Sequence, residues 1–187
     1  FKRTQAIEKA VYNARLSGNF SEGLRSELRT ILKSDKQRAR FSADELAGLA
    51  LEEEVESRLV LEHGAHPWEL RRGPFAEDAF SQLPERDWTL LVQAVDQFVP
   101  EVAEVLKDFG FLPSWRIDDL MISFAAPGGS VGPHFDNYDV FLLQAEGQRR
   151  WKIGQMCDAD SKLLQHADLR ILADFEQTDE WVLEPGD

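Results

Sequence analysis

Two apolar stretches, "LMISFAA" and "DVFLLQ", are separated by "PGGSVGP" and the triplet His134-Phe135-Asp136. Whatever this chain folds into must therefore join two extended segments through a loop that only glycine and proline explain easily. In the first segment Leu120, Ile122 and Phe124 alternate with Met121 and Ser123, as in a strand with two distinct faces. The second reads as a nearly continuous apolar strand. Further on, "EGQRRWKIG" predicts a turn at Glu146-Gly147 and another strand, and "TDEWVLEPGD" predicts a strand ending in a Pro-Gly turn. From Pro113 onward the pattern is β.

Before Pro113 the periodicity is mostly helical. Ile7, Ala10, Val11 and Ala14 recur at helical spacing, and Leu24, Leu28, Ile31 and Leu32 do so after the "SGNFSEG" break. Ser42 with Glu45 three residues later is a capping box, and Leu46, Leu49 and Ala50 supply the buried side of the helix it opens. "WELRRGPF" reads as a strand entering a Gly-Pro turn. "DWTLLVQAVDQFVPEVAEVLKDF" reads as an amphipathic helical stretch interrupted or restarted at Pro100, its Leu/Val spacing signalling core. Helices first and strands later predict an α+β chain with a mainly antiparallel β portion.

Charge divides the chain near Arg40. Residues 1–40 hold ten Lys/Arg against four Asp/Glu, and the remainder holds eleven against thirty, within a net charge of -13. An acidic main body disfavours nucleic acid as a partner and favours a basic protein or peptide. A single cysteine, Cys157, excludes an internal disulfide and points to a reducing cytoplasm. No apolar run is long enough to span a membrane. The chain opens on Phe1 rather than methionine, so a processed or cut chain is expected.

His134 and Asp136 stand one residue apart. On an extended chain, positions i and i+2 point to the same side, so imidazole and carboxylate can converge on one ion. One carboxylate and two histidines form the facial triad of non-haem Fe(II) oxygenases. An H-x-D alone arises often by chance, and its plain reading is a polar turn before a strand. Nearby residues add to it. Ser123 lies on the strand face opposite the main apolar residues. Arg149 or Arg150, across the following turn, can point inward between apolar strands, where a charge requires an anionic partner such as a dicarboxylate. His63 and His66 in "EHGAHPW", and His166 in "LLQHADL", read as exposed loop residues.

From about Phe41 to Asp187 the chain resembles the bacterial ribosomal-oxygenase branch of the JmjC, cupin-type 2-oxoglutarate dioxygenases. The stretches that carry the resemblance are "DELAGLALEEEVESRLV", "DWTLLVQAVD", "LPSWRIDDLMISFAAPGGSVGPHFDNYDVFLLQ", "RRWKIG" and "LEPGD". The resemblance implies a helical N-terminal part followed by a partial double-stranded β-helix (cupin/jelly-roll, JmjC type). Residues 1–40 would be a separate basic helical segment, and 41–187 the N-terminal portion of the cupin domain without its C-terminal strands. It implies hydroxylation of an arginine side chain in a large-subunit ribosomal protein, with Fe(II), 2-oxoglutarate and dioxygen. It gives His134 and Asp136 as metal ligands, Arg149 and Ser123 as holding the cosubstrate, and Asp118, Asp119, Asn137 and Tyr138 as an acidic and polar mouth for the substrate arginine.

Two features depart from that family. Its third ligand is a histidine beyond the "LEPGD" turn, and no histidine follows His166 here. Its usual opening also does not match a basic helical hairpin over residues 1–40. The alternative of a different class is a non-catalytic cupin-like module whose acidic surface binds a basic protein. Either reading allows a homodimer in the cytoplasm.

Overall fold

The computed structural model describes residues 41–165 and 169–187. The helical hairpin expected over residues 1–40, and His166, lie outside them. One compact unit ends at Val131 and another includes Gly132–Asp187.

The unit ending at Val131 is a short helix on a sheet. Helix α1 (Ala43–Leu49) opens on the expected capping box: Ser42 Oγ accepts from the Glu45 N–H, and the Glu45 carboxylate accepts from the Ser42 N–H at 2.8 Å. These exchanges satisfy donors that a helix start leaves orphaned. Leu46 and Ala50 are buried with Val55, Leu59, Leu61, Leu90, Val92, Val95 and Val102, so the helix covers one sheet face.

That sheet has four strands: β1 (Ser57–His63), β2 (Pro67–Arg72), β3 (Trp88–Val92) and β4 (Ile122–Ala125). Their order is β2-β1-β3-β4, and every neighbouring pair is antiparallel. β2 ends at the expected Gly-Pro turn, Gly73-Pro74, whose peptide is cis. β4 keeps the predicted faces. Ile122 pairs with Val92 on the core side, Phe124 pairs with Leu90 on the same face but lies exposed against Trp88, and Ser123 pairs with Leu91 on the other.

Two expectations fail in this unit. Strands do not wait for Pro113: besides β2, the strand expected at "WELRRGPF", β1 and β3 also precede it. The first part of "DWTLLVQAVDQFVPEVAEVLKDF" is not helix but β3, the strand between β1 and β4. A short apolar run bounded by polar residues fits a buried strand as well as a helix, and the β-branched and aromatic content of Trp-Thr-Leu-Leu-Val favours the strand. After a single 3-10 turn over Val95–Gln97, α-helix appears only from Pro100, as α2 (Pro100–Ala103) continued by a 3-10 stretch over Glu104–Phe109.

Polar side chains hold the segment before β4 against the end of β3. Asp119 Oδ2 accepts from Gln93 Nε2 at 2.6 Å and from the Ala94 N–H at 3.0 Å, and Asp96 Oδ1 accepts from the Leu120 N–H at 2.7 Å. Ala94 has φ 52, a left-handed conformation that an alanine holds only when its surroundings fix it.

The Gly132–Asp187 unit is built on an antiparallel pair, β5 (Arg149–Gly154) and β6 (Gln177–Leu183), with Trp151 opposite Trp181. Gly147, at φ 67, makes the predicted turn before β5. Phe135, Trp151, Ile153, Ile171 and Leu172 are the buried apolar residues. Leu163 and Leu172 form an isolated bridge, and the Leu172 N–H donates to the Pro133 carbonyl at 2.8 Å, so this loop braces the His-Phe-Asp triplet. The strand expected at "DVFLLQ" is not formed. Gln144 exchanges backbone hydrogen bonds with Gly186 and Asp187, but no ladder runs along residues 140–143, and apolar content without a paired ladder makes no strand.

Candidate metal and cosubstrate site

Gly132 sets the geometry around His134. Its φ of 75 suits glycine, and its carbonyl lies 2.9 Å from His134 Nδ1. A carbonyl can only accept, so in the neutral ring Nδ1 carries the hydrogen and Nε2 keeps its lone pair. That lone pair is on the Asp136 side: Nε2 and Asp136 Oδ2 are 4.0 Å apart, and both side chains are about a quarter exposed or less. Metal bonds to such donors run about 2.0–2.2 Å, so one ion can reach both atoms. Phe135, between them in sequence, is buried, with the Arg170 guanidinium carbon 5.3 Å from its ring centroid. The structure thus brings the H-x-D pair together.

A neutral imidazole with its other nitrogen bonded to a carbonyl, beside a carboxylate, is a donor set suited to Fe(II) and similar divalent ions. Among the described residues there is no group of three His, Cys, Asp or Glu side chains arranged for a metal. His63 ends β1 and His66 lies in the following turn, both exposed as expected.

Strand alternation separates the two arginines. Arg149 shares the inner face of β5 with Trp151 and Ile153, its guanidinium carbon 6.0 Å from the Trp151 ring centroid. Arg150 points outward into an ion pair with Glu180. Burial lowers the pKa of the Arg149 guanidinium, and an arginine in a protein carries its charge. Asn137 and Tyr138 follow the ligand pair and are exposed.

In the other unit Ser123 is half-buried on β4, Asp118 is exposed, and Asp119 is half-buried with its carboxylate engaged by Gln93 and Ala94. Sequence reasoning missed that engagement, and it missed the Gly132 carbonyl and the Arg170 contact behind the triplet. Only Gly132 left a readable signal, as a glycine before Pro-His.

Residues 104–187 match the JmjC domain. The chain is 49% identical over 147 residues to the ribosomal protein uL16 3-hydroxylase of Escherichia coli K12, covering 79% of this chain and 38% of that protein. It superposes on the X-ray structure of E. coli YcfD with a TM-score of 0.71 at 48% identity, over 78% of this chain and 38% of that one. A second structure, of the E. coli ribosomal oxygenase YcfD in complex with cobalt and 2-oxoglutarate, gives a TM-score of 0.65 at 46% identity, over 78% and 36%. Over residues 104–187 the chain is thus similar to the JmjC domain, and its described part mixes helices with antiparallel sheets. Within that class, the chain is a relative of the ribosomal oxygenases. It spans about two fifths of the length of the relatives it matches.

Proposed function

We propose that this chain is part of an Fe(II)- and 2-oxoglutarate-dependent dioxygenase that hydroxylates an arginine side chain of a large-subunit ribosomal protein. The observation that carries the reading is the His134-Asp136 pair, with Nδ1 committed to the Gly132 carbonyl and Nε2 left facing the carboxylate. The 2-oxoglutarate bound by a relative at 46% identity supports the cosubstrate. Iron with the keto acid supplies the oxidising chemistry, and the chain's own residues bind, orient and shield.

His134 and Asp136 are the metal ligands present, and the third, a histidine, lies outside these 187 residues. Arg149 holds the distal carboxylate of the cosubstrate: it is a half-buried, permanently charged fork on an apolar strand face. Ser123 adds a hydroxyl. Asp118, Asp119, Asn137 and Tyr138 form the mouth for the substrate arginine, with Asp119 also anchoring Gln93 and Ala94. The scaffold is a partial double-stranded β-helix over residues 41–187, with residues 1–40 a separate basic segment. A net charge of -13 suits a basic ribosomal protein encountered in the cytoplasm, by a monomer or a homodimer.

The test is to incubate the intact protein with Fe(II), 2-oxoglutarate and purified uL16, and to look by mass spectrometry for one added oxygen on an arginine. Oxygen on another residue type would retain the oxygenase and remove the arginine assignment. Absence of turnover with tight, salt-sensitive uL16 binding would favour the non-catalytic binding module.

A further inference from the structure

Thr89 stands within β3, 3% exposed, and its hydroxyl has no hydrogen-bond partner among the described residues. Its neighbours in the run, Leu90 and Val92, turn to the core. Thr89 turns the other way, sharing the opposite face with Leu91 and, through the β3-β4 register, with Ser123 and Ala125. Thr89 pairs directly with Ala125, and Leu91 with Ser123, so the two hydroxyl residues are diagonal neighbours about 7–8 Å apart. The residues across from Thr89, Ala125 on β4 and Val60 on β1, have apolar side chains that offer its hydroxyl no partner.

Burying a hydroxyl without a partner is unfavourable, and valine has the same shape without that cost. Valine would also serve the strand at least as well. A threonine here is therefore explained by something its hydroxyl bonds to that the described residues do not supply. The nearest group with assigned chemistry on that face is Ser123, whose hydroxyl is read above as a donor to an anion.

We propose that Thr89 is a further positioning residue for the cosubstrate, its O–H donating, directly or through one bound water, to a carboxylate oxygen of 2-oxoglutarate beside Ser123. The inference rests on the reading of Ser123 given under Proposed function. No covalent step is involved; the hydroxyl orients the anion and keeps its proton.

The test compares Thr89→Val and Thr89→Ser in the intact protein. 2-Oxoglutarate affinity is measured with Mn(II) present, alongside KM for 2-oxoglutarate, KM for the protein substrate and thermal stability. Thr89→Val should weaken 2-oxoglutarate binding three- to tenfold with KM for the protein substrate unchanged and no fall in Tm, and Thr89→Ser should restore binding. Unchanged 2-oxoglutarate binding in Thr89→Val would overturn the proposal, more so with a rise in Tm, since the hydroxyl would then be unused. A lowered Tm with weaker binding that Thr89→Ser fails to restore would also overturn it, as a packing effect. Arg149→Ala serves as the control: if the parent protein binds 2-oxoglutarate and Arg149→Ala weakens it while Thr89→Val does not, only the Thr89 assignment falls. If the parent does not bind 2-oxoglutarate, the functional reading falls and this inference with it.

Discussion

At the scale of single residues, the carbonyl of Gly132 decides which nitrogen of His134 is available to an ion. A side chain at position 132 strains a φ of 75 and moves that carbonyl. Gly132→Ala should cost about 1–2 kcal/mol of stability and weaken Mn(II) binding by the intact protein; unchanged binding would show that the carbonyl does not orient the ring. His134→Ala and Asp136→Ala should each abolish hydroxylation with little change in Tm, because neither side chain belongs to the buried core. Turnover surviving either change would remove the metal assignment. The two arginines provide an internal control. Arg149→Ala should raise the 2-oxoglutarate requirement, and Arg150→Ala, which loses only an outward pair with Glu180, should not. An equal effect of both would place the anion elsewhere. The convergence of His134 and Asp136 by i, i+2 alternation was legible in the sequence, whereas the sequence left open which of Arg149 and Arg150 turns inward; the fold puts Arg149 on the face of Trp151 and Ile153. Asp119 was not, because its partners Gln93 and Ala94 lie about 25 positions away and meet it only in the folded sheet.

At the scale of elements, legibility followed how local the determinants are. The capping box at Ser42 and Glu45, the turn at Gly147 and the faces of β4 are each set within a few residues, and each is where the sequence places it. β3 was misread because Trp88–Val92 owes its strand to neighbours on both sides rather than to a period of its own. Residues 140–143 erred the opposite way, having strand composition without a pairing partner among the described residues. Two measurements test these assignments by urea unfolding. Leu90→Ala, in the buried core, should cost about 2–5 kcal/mol. Ser42→Ala should cost about 1 kcal/mol. The cap also carries a pH signature. The backbone N–H and hydroxyl of Ser42 hold the Glu45 carboxyl below its ordinary pKa of 4.5. A depressed carboxylate pKa contributes stability present above the unfolded value and lost as pH falls through the folded one. The Ser42→Ala deficit should therefore shrink as pH drops below about 4.5. A deficit independent of pH would mean that the Ser42 hydroxyl, as opposed to its backbone N–H, does not hold the Glu45 carboxylate.

At the scale of the whole molecule, two donors are fixed on one short segment, and no third joins them among the described residues. A bidentate His-Asp pair holds a divalent ion weakly in water, whereas a third protein ligand adds affinity and leaves positions open for a chelating keto acid. The chain spans 38% of the length of its E. coli relative, so the ligand set can be compared in the 187-residue chain and in a chain continued along that relative's sequence. The expected outcome is weak Mn(II) binding, indifferent to 2-oxoglutarate, in the first. The second should bind tightly, and more tightly still with the keto acid. Strong, keto-acid-dependent binding by the 187 residues alone would place the third ligand within them or on a second copy, and would refute the assignment of a histidine further along. Weak binding by both would leave the acidic body without its proposed catalytic metal. The protein would then act through charge alone, as a module whose grip on a basic ribosomal protein loosens as salt is raised.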